Sequence, residues 1–250
     1  YENITNESIY NKKQMLDEKF INKPVIIKPD LGSVSNGIIV QSSYDYDAII
    51  QHINNWNYTS WTISEITIPR LINGHITSNR IYILISKNNN GDINGYMYTN
   101  FMNYRAERPF QGDVTKPDEF LTNYMDRSNP NSDELFVKTR YIPNDRYMSN
   151  FTECEQQIIY DRLSDAFNTI IQTIAKDVMS HNDNKTNQYP NGTPNLANNV
   201  TSGFHIYGAD VLIDNDLNIK IIELNGAPAM NVKTRYYKLH DRLDYFDLME

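Results

Sequence analysis

Runs of apolar residues alternate with polar stretches along the chain, and their spacing predicts strands and helices in mixed order. Apolar spacing typical of helices occurs at residues 8–21, 46–56 and 152–179. Segment 105–150 is mostly loop-like, and the Asn-, Thr- and Pro-rich segment 181–201 predicts a mobile loop. Strand-like runs occur at residues 25–28, 38–40, 61–68, 80–85, 95–98, 206–213 and 221–228. This order predicts an α+β fold rather than a doubly wound sheet.

The last two strand-like runs flank a polar stretch, residues 214–218, and predict an antiparallel hairpin with a loop at 215–218. In that register residue 214 faces 219, and Asp210 faces Glu223. Two opposed carboxylates repel within apolar strands unless one is protonated or a cation lies between them. Side-chain alternation puts Asn225 on the face of Glu223, which makes an oxygen ligand set suited to Mg²⁺ shared with nucleotide phosphates. The alternative is a surface hairpin with solvated acids, and strands that are apolar on both faces argue against it.

Cationic side chains at strand ends are the next candidates. Lys28 ends an apolar strand and precedes a loop bounded by Gly32 and Gly37, an arrangement that can hold a phosphate. The alternative is a solvated lysine, and the loop lacks the Gly-Lys-Ser/Thr ending of a Walker-type phosphate loop. Arg80 opens one strand and Arg105 follows the next, so the two arginines form either an anion clamp or separate surface charges.

Composition narrows the classes of partner. The 250-residue chain has a formal net charge of −8, which disfavours binding to nucleic acid or to an anionic membrane. No run of 18 apolar residues and no secretory signal is visible. The single cysteine, Cys154, excludes an internal disulfide framework and agrees with a reducing compartment, so we expect a cytoplasmic protein.

Several of these segments together resemble the tubulin–tyrosine ligase-like family, a branch of the ATP-grasp ligases. Their order along residues 23–232 is that of the family. The matching segments are 25–29 followed by 37–38 (its lysine strand and glycine flap), 69–74 leading into 80–84 (the segment that joins its nucleotide hinge to its arginine strand), Leu121-Thr122-Asn123-Tyr124, and the paired metal strands 204–214 and 222–228, the latter with Glu223-Leu224-Asn225-Gly226-Ala227-Pro228.

The resemblance implies an ATP-grasp fold, in which two lobes with antiparallel sheets enclose a nucleotide cleft. Residues 1–22 would be a helical lead-in that follows an absent upstream domain. Residues 23–68 would form the small lobe with its flap, and residues 69–250 the large lobe with the metal hairpin.

The resemblance also implies a role for each candidate residue. Arg80 and Arg105 would stabilise an acylphosphate, with Asn123 beside them. Mg²⁺ would be held by Asp210, Glu223 and Asn225. ATP would be contacted by Lys28, Gly32, Gly37, Glu65, Ile66 and Ile68. The implied reaction is ATP-dependent ligation of a free amino acid to a protein or peptide acceptor, with tubulin one candidate.

One segment departs from the family pattern. The family usually has Lys-Phe-Asp-Ile-Arg before the arginine strand, whereas this chain has Ile76-Thr77-Ser78-Asn79-Arg80. The nucleotide-contacting lysine is therefore Ile76, and the acid is Ser78. Two alternatives follow from this departure: a degenerate ATP-grasp domain that serves as a binding or structural module, and a ligase that acts on a non-tubulin peptide or a small molecule.

Overall fold

The computed structural model describes residues 1–30, 37–124, 140–180 and 203–228. The chain divides into two compact units. The first consists of Tyr1–Thr77 with Tyr104–Arg140, and the second of Ser78–Asn103 with Tyr141–Glu250. The lobe limits implied by the resemblance, 23–68 and 69–250, stay a prediction. The elements in chain order are β1 (Glu2–Thr5), α1 (Ser8–Asn11), α2 (Lys13–Phe20), β2 (Val25–Pro29), β3 (Ile39–Gln41), α3 (Tyr46–Asn54), β4 (Ser60–Glu65), β5 (Thr77–Lys87), β6 (Ile93–Met97), β7 (Met102–Arg105), α4 (Pro117–Phe120), β8 (Tyr141–Ile142), α5 (Asn144–Met148), α6 (Glu153–Ser180), β9 (Gly203–Ile213) and β10 (Ile219–Asn225).

The first unit contains a four-stranded antiparallel sheet in the order β1-β4-β2-β3. Alternation along β2 buries Val25, Ile27 and Pro29 and leaves Ile26 and Lys28 half-buried. Val25 and Ile27 share one core with α1, α2 and α3; its buried members are Ile4, Ile9, Leu16, Phe20, Val25, Ile27, Ile49, Ile53, Trp61 and Ile63.

The helices of this unit follow the predicted segments closely. Residues 8–21, predicted as one helix, form α1 and α2, which are separated at Lys12. The predicted helix 46–56 is α3, and its first turn is capped by Asp45, whose carboxylate accepts a hydrogen bond from Ala48 N at 3.1 Å. Strand β4 ends at Glu65, three residues before the end predicted for it. Ile66 N still donates to Pro24 O, but Pro24 has no N–H with which to continue the ladder.

The second sheet has six strands in the order β10-β9-β5-β7-β8, with β6 also paired to β5. Helix α6 confirms the helix predicted over 152–179, and it buries Ile159, Leu163 and Phe167. Ile158, which the predicted stripe included, is 37% exposed. Gly95 of β6 makes room for this helix, because a Cβ atom there would lie 2.1 Å from Ile171 Cδ1.

Strands β9 and β10 form the predicted hairpin, with one difference in register. Ile219 pairs with Ile213 rather than with residue 214, because the Asp214 backbone closes the turn with Asn218. A β-bulge between Ile221 and Glu223 then shifts the register by one residue. Asp210 therefore faces Glu223, as predicted.

The fold class is confirmed as α+β with two antiparallel sheets. Segment 105–150, predicted as mostly loop, also contains α4, β8 and α5 within its described part. The predicted mobile loop at 181–201 and Gly32 lie outside the described residues. Within the described ranges, none of the helices combines the length and hydropathy that a membrane span requires.

Candidate functional site

Three charged residues lie side by side on neighbouring strands of the second unit. Arg80 of β5 is the cross-strand partner of Asp210 on β9, and Asp210 is the partner of Glu223 on β10. Directly opposed residues project from the same face of a sheet. The sheet therefore presents an arginine, an aspartate and a glutamate in one row.

Arg80 and Asp210 form a two-pronged ion pair. Arg80 Nη2 donates to Asp210 Oδ2 at 2.8 Å, and Arg80 Nε donates to Asp210 Oδ1. Each side chain is about one quarter exposed, at 23% and 24%. The pair is thus screened by water less than a surface ion pair would be.

The surroundings of Asp210 oppose its negative charge. Burial raises the pKa of the Asp210 carboxyl above its usual value, the Arg80 guanidinium lowers this pKa, and the Glu223 carboxylate raises it again. Burial and the facing Glu223 thus disfavour the charged form of Asp210, whereas a nearby cation favours it. This is the electrostatic condition that the sequence predicted for the facing acids.

Asn225 completes the oxygen set on β10. Its Nδ2 donates to Glu223 Oε1 at 2.7 Å, which confirms that Asn225 and Glu223 share a face. Carboxylate and amide oxygens are ligands that Mg²⁺ accepts, so the donor set fits this ion. No group of three His, Cys, Asp or Glu side chains suited to a metal was found among the described residues, which is compatible with a set of two acids and an amide.

A histidine that was not predicted supports the end of this hairpin. His205 Nε2 donates to Gly226 O, so the residue after Asn225 is tied back to β9. The His205 ring also packs against Tyr207, with ring centroids 4.4 Å apart. The only sequence signal was a lone histidine near the start of a strand, and its partner is a backbone atom that no motif marks.

The predicted phosphate-binding residues lie in the first unit. Lys28 is half-buried on β2, on the face opposite the buried Val25 and Ile27, and it pairs with Thr62. Gly37 follows the predicted flap and has a φ of 75°, which favours glycine. His52 Nε2 donates to Gly37 O at 2.8 Å and holds this backbone in place.

The other residues predicted to contact ATP, Glu65, Ile66 and Ile68, lie at the end of β4 or just beyond it in the same unit. Glu65 is 54% exposed in its side chain and forms an ion pair with Lys23 Nζ at 3.0 Å. Ile66 and Ile68 are half-buried beyond the end of β4. The structure therefore supplies a partner for Glu65 that the sequence did not predict.

Arg105 and Asn123 also belong to the first unit. Arg105 is the last residue of β7, and Asn123 lies in an exposed turn. Arg140, which was not predicted, is 4% exposed and donates to Tyr124 O and to Glu107. Arg140 lies beside the Leu-Thr-Asn-Tyr segment through contacts with residues distant in sequence, which the local pattern does not reveal.

Two of the positions at which this chain departs from the family pattern, Ile76 and Ser78, lie in or near the core. Ile76 is 2% exposed, and its carbonyl oxygen accepts a hydrogen bond from Ala106 N at 2.9 Å. The position that carries a lysine in the family pattern is therefore part of the apolar core in this chain. Ser78 is half-buried at the start of β5.

Comparison with known proteins gave similarities in sequence and in structure. The sequence model described as "Tubulin-tyrosine ligase family" matches residues 4–241. Among solved structures, the chain is similar to the C-terminal domain of K. lactis Pby1, described as an ATP-grasp enzyme interacting with the mRNA decapping enzyme Dcp2. That similarity has 17% identity and a TM-score of 0.48, and it covers 92% of this chain and 59% of that one. The comparison with curated proteins gave no match.

Proposed function

Because the chain belongs to the tubulin-tyrosine ligase family, we propose that it is an ATP-dependent carboxylate–amine ligase that adds an amino acid to a protein or peptide. The observation that carries the proposal is the row formed by Arg80, Asp210 and Glu223, with Asn225 bonded to Glu223. This row combines oxygen ligands for a cation with a guanidinium that can contact an anion.

In this proposal Asp210, Glu223 and Asn225 hold Mg²⁺. The bound ion supplies charge neutralisation at the phosphate oxygens during transfer. Lys28 and the backbone around Gly37 contact the phosphates of ATP. Gly32, Glu65, Ile66 and Ile68 keep the nucleotide-binding roles that the family resemblance gives them.

The proposed reaction has two steps. A substrate carboxylate attacks the γ-phosphorus of ATP, the bond to ADP breaks, and an acylphosphate forms. An amine then attacks the acyl carbon, loses a proton and expels phosphate, which leaves an amide. Arg80 and Arg105 stabilise the negative charge of the acylphosphate, and Asn123 lies beside the reacting groups in this scheme.

The decisive variant is Glu223→Gln, which keeps the size of the side chain and removes its charge. We expect it to lower Mg²⁺-dependent amide formation by at least about 100-fold, since the negative charge of a metal ligand is lost. The measurement is transfer of a labelled amino acid with detection of ADP. Asp216→Asn removes the same charge from the exposed turn of this hairpin and should keep wild-type turnover. Unchanged ligation in Glu223→Gln would refute the proposal.

The identity of the two substrates is the most specific part of the proposal. We propose a free amino acid as one substrate and a protein or peptide acceptor as the other, with tubulin as one candidate acceptor. Cys154 is exposed and single, which fits a reducing compartment such as the cytoplasm. Incubation with labelled amino acids and candidate acceptors, followed by mass spectrometry, identifies the bond and separates protein acceptors from small molecules.

A second candidate function is a nucleotide-free binding or structural module. The burial of Ile76 favours it, because this position provides no cation for a triphosphate. Titration calorimetry with Mg-ATP separates the two candidates. Nucleotide binding followed by product formation excludes the module, whereas no heat of binding excludes the ligase.

A further inference from the structure

The ion pair between Arg80 and Asp210 uses both oxygens of a proposed metal ligand. Arg80 Nη2 lies 2.8 Å from Asp210 Oδ2, and Arg80 Nε donates to the other carboxylate oxygen. A two-pronged fork is among the strongest contacts that an arginine makes with a carboxylate. The guanidinium therefore lies beside the atoms that a divalent ion would coordinate.

Gly208 gives Arg80 access to this position. It lies two residues before Asp210 on β9 and so shares its face. A Cβ atom on Gly208 would lie 3.0 Å from Arg80 Cδ and 2.8 Å from Pro228 Cβ. The missing side chain therefore provides the space in which the arginine stem lies over β9.

The charges of the row explain why a cation is held there. Asp210 and Glu223 carry two negative charges on paired positions, and Asp210 is only 24% exposed in its side chain. Arg80 offsets one of these charges, whereas a divalent ion would offset both. The two cations would repel each other strongly if both contacted Asp210, because their charges would lie within a few Å in a partly desolvated site.

We infer that Arg80 is an internal cation that a divalent ion displaces from Asp210 as it binds. The inference rests on the proposed function, since it takes Asp210 as a metal ligand. Before the metal binds, Arg80 stabilises the buried carboxylate. When the metal takes its place, the guanidinium is released and can contact the anion of the reacting substrate. Arrival of the metal and delivery of the arginine are thereby coupled.

The test is Mn²⁺ binding to the full chain without nucleotide, measured from the electron paramagnetic resonance signal of the free ion. Arg80→Gln removes the competing cation, and we expect Mn²⁺ affinity to rise about fivefold. Arg80→Lys keeps the charge but not the fork, so its affinity should lie between those of the wild type and Arg80→Gln. Arg162→Gln is the matched control, because Arg162 donates to Asp216 O at 2.6 Å in the turn of the same hairpin. It should change Mn²⁺ affinity less than about twofold.

Wild-type or weaker Mn²⁺ affinity in Arg80→Gln would overturn the inference. Circular dichroism melting curves establish whether each variant is folded. If Arg80→Gln does not fold, Arg80→Lys decides, and an unchanged affinity in that variant has the same meaning. Glu223→Gln shows whether the displacement of Arg80 or the metal site itself is wrong. If it loses Mn²⁺ while Arg80→Gln gains none, only the displacement is wrong; if it binds Mn²⁺ as the wild type does, the metal site itself is wrong.

Discussion

Asn79 and Asn103 are both fully buried, at 0% exposure, and within the described residues their Oδ1 atoms lack a hydrogen-bond partner. Asn79 directly precedes Arg80 on β5 and stands where the family pattern has Ile. Its Nδ2 makes one long contact, 3.4 Å from Val211 O. An amide oxygen that is removed from water and left unpaired destabilises the folded state.

We predict that Asn79→Ile stabilises the protein. The substitution removes an unpaired buried oxygen and adds apolar surface to the core beside Val211. The free energy of unfolding should rise by about 1–3 kcal/mol, as measured by urea denaturation. A decrease would mean that the Asn79 amide has a role that its contacts do not show.

Asn103→Leu is the contrasting variant. Asn103 Nδ2 donates to three acceptors, Phe101 O, Ile142 O and Asn144 Oδ1, at 3.2–3.3 Å. Removing this amide takes a donor from each of those oxygens, so Asn103→Leu should lower the free energy of unfolding by about 1–3 kcal/mol. Both variants remove an unpaired oxygen and add an apolar side chain, so opposite effects at the two positions would show that the hydrogen bonds donated by Asn103 Nδ2 decide the difference.

The β9–β10 hairpin shows what local pattern can predict about an element. Two apolar runs and a polar stretch were enough to predict that Asp210 faces Glu223. The predicted pairing next to the turn was wrong by one residue, because the strands begin to pair with Ile213 opposite Ile219. The bulge at Ile222 then shifts the pairing to the predicted register. A bulge of this kind has no signal in an Ile-Ile-Glu sequence.

The turn of this hairpin depends on Asp214. Its carboxylate accepts hydrogen bonds from Asp216 N, Asn218 N and Asn218 Nδ2 at 2.8–3.0 Å. These bonds hold Leu217 in a left-handed conformation, with φ of 62°, while its side chain is 7% exposed. Asp214→Ala should therefore lower the free energy of unfolding by about 1–2 kcal/mol in urea melts.

Asp216→Ala is the control for Asp214→Ala. It removes the same charge from the same turn, but Asp216 takes part in the turn's hydrogen bonds through its backbone. Its free energy of unfolding should stay within about 0.5 kcal/mol of the wild type. Equal losses in both variants would show that net charge, and not the hydrogen bonds of Asp214, stabilises the turn.

Contacts between distant segments set the limit of prediction from sequence. Arg80 was selected as an anion-binding residue, but its ion pair with Asp210 joins positions 130 residues apart. Strand β1 was not predicted, since residues 2–5 carry one buried side chain, Ile4, whose partner Trp61 lies on β4. Local periodicity contains no information about which strands distant in sequence become neighbours, so the row that joins Arg80 to Asp210 and Glu223 emerges only in three dimensions.

The charge of the whole chain bears on which acceptors the proposed ligase could use. A formal net charge of −8 produces a repulsive field for acidic polypeptides, including acidic tails of the kind that a tubulin acceptor would present. Dissolved salt screens this field over about 8–10 Å at physiological ionic strength. A ligase with this charge should therefore prefer neutral or basic acceptors at low salt.

We predict opposite salt responses for acidic and basic peptide acceptors. With an acidic peptide, kcat/KM for ligation should rise about two- to threefold between about 20 and about 200 mM salt, because screening weakens the repulsion between like charges. With a basic peptide of equal length it should fall, and a neutral peptide with Gln in place of Glu provides the baseline. The measurement is initial rates with a labelled amino acid at saturating Mg-ATP. If kcat/KM for the acidic peptide falls with salt, the acceptor is bound by a local basic surface that outweighs the net charge of the chain.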